Sequence, residues 1–214
     1  MTPQTQSQQT KALCQLAPVI PVIVIKDAAR AEGLAQALVA GGLPVLEVTL
    51  RSDAALDAIR AMSGVTGGHV GAGTVLTPDD ARRAKDAGAQ FAVSPGLTDR
   101  LIQACADLDL PLLPGAATAS EVMRAVDAGF DMLKFFPAEA IGGAPALKSL
   151  AGPLPKVSFC PTGGVTPQNA TSYLSLPNVV CVGGSWIVTD ADVASGDWQA
   201  IEDRARTAAA LPRG

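Results

Sequence analysis

Short β-branched apolar runs alternate with Ala-rich amphipathic stretches along the whole chain. Runs starting near Val19, Val45, His69, Phe91, Leu110, Met132, Lys156 and Val179 read as strands, and the stretches between them as helices. Their spacing of roughly 20–26 residues is the length of a strand–helix unit. The punctuation agrees with this pattern. Val39-Ala40-Gly41-Gly42, Asp86-Ala87-Gly88 and Asp127-Ala128-Gly129 each place glycine just past a helical stretch, where a left-handed residue closes the last turn. Thr77-Pro78-Asp79-Asp80 and Thr166-Pro167 read as helix starts, with a capping hydroxyl before a proline at the first helical position.

Repeated strand–helix units predict an α/β fold, a (β/α)8 TIM barrel in a single domain spanning 1–214, at the small end for that fold. The segment before about Ala17 is expected to lead with a helix against one end, and residues 1–10, polar and Gln/Thr-rich, to be loosely ordered. The alternative, an open doubly wound sheet, calls for Gly-x-Gly-x-x-Gly after the first strand. Here Val19–Ile25 runs into Lys26-Asp27-Ala28-Ala29, with no glycine.

Composition narrows the chemistry. A net charge of -4 with no basic run argues against nucleic acid as a partner. No apolar run approaches a membrane span, and the first residues lack a positive segment followed by an apolar one, so a cytoplasmic location is expected. Cys14, Cys105, Cys160 and Cys181 form no Cys-x-x-Cys pair and read as buried reduced thiols. His69 is the only histidine, which leaves too few ligands for a zinc site and no partner for a Ser-His-Asp triad. No metal and no cofactor is expected.

In a barrel of this type function sits at the carboxyl ends of the strands. A period of two sends Val45, Glu47, Thr49 and Arg51 one way and the all-apolar Leu46, Val48 and Leu50 the other, towards the helices. The same parity groups Met132, Lys134 and Phe136 against Leu133 and Phe135. Lys134 then enters the interior beside an inward Glu47. Apolar surroundings favour amine over ammonium, and an amine attacks carbonyl carbon. Glu47 is suited to move protons, and Arg51 to grip a carboxylate. Two structural alternatives stand beside this reading: a Glu47–Arg51 pair that merely braces the interior, and a Lys134 that snorkels to the rim. Lys85 and Lys148 fall on helices and Lys156 opens a strand, which leaves Lys26 as the rival amine. Thr74 offers a hydroxyl after Gly71-Ala72-Gly73. Thr162-Gly163-Gly164 and Gly183-Gly184-Ser185 follow the last two strands, where bare backbone N–H groups commonly hold phosphate.

Taken together, Leu46-Glu47-Val48-Thr49-Leu50-Arg51, Gly71-Ala72-Gly73-Thr74-Val75-Leu76, Phe91-Ala92-Val93-Ser94-Pro95-Gly96-Leu97, Lys134-Phe135-Phe136-Pro137-Ala138-Glu139, Phe159-Cys160-Pro161-Thr162-Gly163-Gly164 and Gly183-Gly184-Ser185-Trp186 resemble the 2-keto-3-deoxy-6-phosphogluconate (KDPG) aldolases. The likeness runs in order from about Leu13 to Ala208. It implies a class I aldolase of the Entner–Doudoroff pathway that assembles as a homotrimer. Such an enzyme cleaves KDPG, a phosphorylated keto acid, to pyruvate and glyceraldehyde 3-phosphate, and related enzymes also take 4-hydroxy-2-oxoglutarate (KHG). By resemblance Lys134 is the Schiff-base lysine and Glu47 the general acid/base. Arg51 and Thr74 bind the carboxylate, Phe136 and Pro95 line the pyruvyl pocket, and Thr162 contacts a substrate hydroxyl. Gly163, Gly164, Gly183, Gly184 and Ser185 form the phosphate cradle. Two other readings remain open from the residues: a phosphate-binding isomerase or epimerase with Glu47 as base, and a catalytically silent ligand-binding barrel.

Overall fold

The structure, a computed structural model, describes residues 1–214. The expected strand segments all form, in the order β1 Val19–Ile23, β2 Val45–Thr49, β3 His69–Gly73, β4 Ala92–Val93, β5 Leu112–Leu113, β6 Gly115–Ala116, β7 Met132–Phe135, β8 Ser158–Pro161 and β9 Val182–Gly184. The fifth segment is split in two at Pro114, which has no N–H to give to a ladder. Every pairing is parallel. A six-stranded sheet runs β5-β4-β3-β2-β1-β9 and a three-stranded sheet β6-β7-β8. Isolated parallel bridges, Phe159 to Val179 and Thr162 to Gly183, connect β8 to the β9 segment.

Helices α1 Pro3–Gln15, α2 Ala31–Ala40, α3 Ala55–Ser63, α4 Pro78–Asp86, α5 Asp99–Asp107, α6 Ala119–Asp127, α7 Gly143–Ala151, α8 Ala170–Leu174, α9 Asp190–Ser195 and α10 Trp198–Ala209 occupy the intervening segments. Their ends follow local chemistry. Gly42, Gly88 and Gly129 take left-handed φ of 89°, 97° and 102° just past α2, α4 and α6. Thr77 caps α4 in a reciprocal box with Asp80, and Thr118 caps α6 in the same way with Glu121. Thr166-Pro167 starts only a turn. Asn169 Oδ1 accepts the Thr166 N–H there, and α8 begins at Ala170.

The core falls into two layers, as strand parity requires. Leu46, Val48, Leu133 and Phe135 join a 47-residue cluster between sheet and helices. Ile20, Val45, Val93, Leu113, Met132 and Cys160, drawn from both sheets, meet in a separate nine-residue cluster. Strands β1, β2, β4, β5, β7 and β8 can share one small cluster only if the sheet curls around it.

Residues 1–10 are not loosely ordered, contrary to the expectation from composition. Thr2 caps α1 and Pro3 opens it, and Gln6, Ser7 and Thr10 are buried. The Gln6 and Ser7 side chains serve strand starts that would otherwise be unsatisfied, while the Thr10 hydroxyl donates back to the Gln6 and Ser7 carbonyls of its own helix. Gln6 Oε1 accepts the Leu112 N–H at 3.2 Å, and Ser7 Oγ accepts those of Asp131 and Met132 at 3.0 and 2.9 Å. Cys14 of the same helix enters the inner cluster. The helix therefore covers the amino-terminal end of the strands and leaves the opposite end open. No helix is long and apolar enough to cross a membrane.

Candidate active site

Glu47 sits mid-strand in β2, opposite Val22 of β1 and Gly71 of β3. Lys134 sits in β7, opposite Gly115 of β6 and Cys160 of β8. Both side chains turn inward, as parity predicts, and both are buried, at 3% and 6% exposure. Lys134 Nζ donates to Glu47 Oε1 at 3.0 Å and lies 5.4 Å from the centre of the Phe136 ring. Lys134 therefore does not snorkel, and Glu47 pairs with it rather than with Arg51. Glycines make the room. A Cβ on Gly73 would lie 2.7 Å from Glu47 Cγ, and one on Gly71 2.5 Å from the Phe91 ring edge. The rival amine, Lys26, is exposed and bound to Asp190 Oδ2 at 2.5 Å.

Beside the ion pair, Thr49 Oγ1 donates to the Ile23 carbonyl at 2.9 Å and accepts Arg51 Nε–H at 3.2 Å. This chain of bonds fixes the first part of the arginine stem and leaves the outer guanidinium nitrogens for a ligand. Thr74 holds φ 59°, an unfavourable conformation for a β-branched residue. On the far side, Gly163 and Gly164 take φ of 98° and 79°. Their N–H groups and that of Ser185 donate to no protein acceptor. Thr162 reaches inward over Gly183, where a Cβ would lie 2.9 Å from Thr162 Cγ2.

These residues line one cavity of about 430 Å³ at the carboxyl ends of the strands, within the range of small-ligand pockets. Glu47, Arg51, Thr74, Pro95, Lys134, Phe136, Thr162, Gly163, Gly164, Gly183 and Ser185 all face it. Gly184 does not. The next residue along a strand points the other way, and Gly184 packs under the Trp186 ring. Val22, Thr49, Leu76 and Val165 complete the wall and were not singled out from sequence. For Thr49 the signal was present, since it shares the face of Glu47 and Arg51. Leu76, at 56% exposure, is an apolar residue at the rim. No group of three or more His, Cys, Asp or Glu side chains is arranged to hold a metal ion. The cavity thus combines a buried amine–carboxylate pair with a guanidinium on one side and unpaired backbone donors on the other. Such a lining offers cationic and N–H donors at its two ends and an amine beside a carboxylate between them.

A family model described as KDPG and KHG aldolase matches residues 10–204. The chain belongs to the KDPG and KHG aldolase family. Members of this family are lyases, and the chain is an aldolase by that membership. It is 50% identical over 194 residues to the 2-dehydro-3-deoxy-phosphogluconate aldolase of Pseudoalteromonas atlantica, with 90% of each chain covered. It is 52% identical over 192 residues to the KHG/KDPG aldolase of Escherichia coli, covering 89% of this chain and 90% of that one. Among solved structures, the KDPG aldolase of Zymomonas mobilis ZM4 with 3-phosphoglycerate superimposes with a TM-score of 0.91 at 50% identity, covering 97% of this chain and 98% of that one. The KDPG aldolase of Legionella pneumophila, with pyruvate captured as a covalent carbinolamine, superimposes with a TM-score of 0.90 at 45% identity, covering 94% and 98%.

Proposed function

We propose that this aldolase uses Lys134 as its Schiff-base nucleophile to cleave KDPG to pyruvate and glyceraldehyde 3-phosphate in the Entner–Doudoroff pathway, and that the same site takes 4-hydroxy-2-oxoglutarate. The observation that carries the reading is the buried Lys134–Glu47 contact at 3.0 Å inside the one cavity that also holds Arg51 and the unpaired glycine N–H groups. Moving one proton from Nζ to Glu47 leaves a neutral amine with a free lone pair. That amine attacks C2 of the keto acid to give a carbinolamine. Glu47 returns the proton to the departing hydroxyl, so water leaves and a protonated imine remains. Glu47, again a carboxylate, takes the C4 hydroxyl proton. The C3–C4 bond breaks, its electrons flow into the iminium, and glyceraldehyde 3-phosphate departs. Protonation of the enamine at C3 and hydrolysis of the imine release pyruvate and restore the lysine.

Arg51 and Thr74 hold the substrate carboxylate in this scheme. Pro95 and Phe136 flank the pyruvyl carbons, and Thr162 faces the substrate hydroxyls. Gly163, Gly164, Gly183 and Ser185 receive the phosphate, with Gly184 contributing only through the backbone of β9. Binding energy gathered at the two anionic ends fixes the reacting bond between them. The two sheets close into one (β/α)8 barrel in this reading, supported by the Thr162–Gly183 bridge and by the nearness of β5 and β6 across Pro114. A single domain, a homotrimer and a cytoplasmic location complete the proposal. They rest on the resemblance to the family and on the chain's composition.

Borohydride reduction in the presence of pyruvate is expected to add one reduced pyruvyl group to Lys134, read by intact mass and peptide mapping. Glu47→Gln is expected to lower turnover by about 10²–10⁴-fold while the fold persists. A label on another residue, or no label, removes Lys134 from the role. Near-normal turnover in Glu47→Gln removes the proton-transfer role.

A further inference from the structure

Glu139 closes the Lys134–Glu139 sequence motif but lies outside the cavity wall. It nevertheless reaches the cavity through the glycine turn after β8. Its backbone N–H donates to the Gly163 carbonyl at 3.0 Å. Its stem lies against Gly164, where a Cβ would fall 2.6 Å from both Glu139 Cβ and Cγ. Its carboxylate accepts a hydrogen bond from the Tyr173 hydroxyl, on α8. Tyr173 itself is fully buried. The turn is gripped from its other side by Asn169, whose Nδ2 donates to the Gly164 carbonyl at 3.1 Å.

We propose that Glu139 and Tyr173 form a latch that positions the Gly163–Gly164 turn to bind the substrate phosphate. With both carbonyls held away from the cavity by Glu139 N–H and Asn169 Nδ2, the two glycine N–H groups are left as the turn's free donors. Two successive left-handed residues are costly to hold in a unique arrangement, because glycine loses the most backbone freedom on ordering. The latch meets that cost in advance, so the phosphate does not have to order the turn when it binds. Burial first, and then the Glu139 carboxylate, push the Tyr173 hydroxyl above its ordinary range, so it stays a donor wherever the enzyme works. Glu139 and Tyr173 are positioning residues and touch no reacting atom. The inference rests on the reading of the glycine turns as a phosphate site.

The test compares Tyr173→Phe, Glu139→Ala and Glu139→Gln with the wild-type enzyme. Three readouts are used: KM and kcat for KDPG, inhibition by inorganic phosphate, and deuterium exchange into the pyruvate methyl group. Pyruvate carries no phosphate, so its exchange reports on Lys134 and Glu47 alone. Tyr173→Phe and Glu139→Ala are expected to raise KM for KDPG and the phosphate inhibition constant about tenfold, as for loss of a charge-assisted bond. Pyruvate exchange and kcat should stay within about twofold, and Glu139→Gln, which keeps an acceptor for Tyr173, should restore most of the loss. Unchanged KM and phosphate inhibition in both variants overturn the latch, as does a parallel fall in pyruvate exchange, which marks a general structural effect. Failure of inorganic phosphate to compete with KDPG in the wild-type enzyme overturns the phosphate site and the latch with it.

Discussion

Replacing Gly73 by alanine adds a single methyl group at the back of the Glu47 carboxylate. That methyl would lie 2.7 Å from Glu47 Cγ and 2.9 Å from Cδ, and nearer still to Oε1, the atom that holds Lys134. Ordinary contact begins at 3.4 Å, so the whole side chain has to move. Restoring that spacing takes Oε1 about 1 Å from its place, and a misplacement of this size costs on the order of 100-fold in rate. Overpacking of a buried site adds a stability loss of about 1–3 kcal/mol. Backbone strain contributes little, since Gly73 does not adopt a left-handed φ. Gly71→Ala is the matched control. Its methyl meets the Phe91 ring, in the inner core, as its nearest neighbour, where that of Gly73→Ala meets Glu47. Both variants should show lowered thermal midpoints of similar size. Gly73→Ala alone should lose turnover, measured by coupling pyruvate release to a dehydrogenase, along with borohydride trapping at Lys134. A folded Gly73→Ala enzyme with turnover within about threefold of wild type would falsify the claim that Glu47 must stand where it does.

Two further outcomes can be checked without changing the active site. All four cysteines are buried, and Cys105 is pushed up to about 12 by burial. Hydrogen bonding to Cys160, with burial behind it, holds Cys14 well above the ordinary thiol range, and hydrogen bonding to Cys14 and Cys160 does the same for Cys181; Cys160 itself is held well below that range by Cys14 and then Cys181, and is shielded from reagent by its burial alone. A thiol reagent at pH 8 should therefore label the native chain far more slowly than the denatured chain, in which all four react; rapid native labelling would contradict the burial. For acid stability, the Glu121 carboxyl is held below its usual range, first by the Ala117 N–H and against some cost of burial. For Asp80, burial opposes ionisation, but Arg83, Thr77 and two backbone N–H groups outweigh it and the carboxyl is again lowered. A depressed folded value means that the stabilisation is present above the unfolded carboxyl range and is lost as pH falls through the folded value. Denaturant midpoints should therefore decline below about pH 4, and Asp80→Asn should flatten part of that decline; an unchanged profile in that variant would remove the Asp80 cap from the account.

Strand parity made the heart of the site legible. A period of two is a property of the backbone, so Glu47, Lys134 and Thr162 face inward whatever the neighbouring loops do. The same rule, applied to adjacent residues, places Gly183 in the cavity and turns Gly184 out of it. Tertiary partners were less visible. The polar face of α1 looked like a solvated tail because its hydrogen-bonding partners, Leu112, Asp131 and Met132, lie far along the chain. Tyr173 and Glu139 are 34 residues apart and meet only through the fold. Pro114 could have been read as a break in the fifth strand segment, because proline cannot donate to a ladder.

The seating of α1 also has a consequence in time. The ribosome makes this helix before any strand whose end it covers, yet its anchors on β5 and β7 lie 106 to 125 positions downstream. At about 5–20 residues per second, the helix waits roughly 5–25 seconds for them to be synthesised. During that interval Gln6, Ser7 and Thr10 face water at no cost, where an apolar surface of the same shape would be exposed and adhesive. A polar underside on an element made before its partners therefore serves twice: it satisfies the strand starts in the finished protein, and it keeps the nascent chain quiet until they arrive.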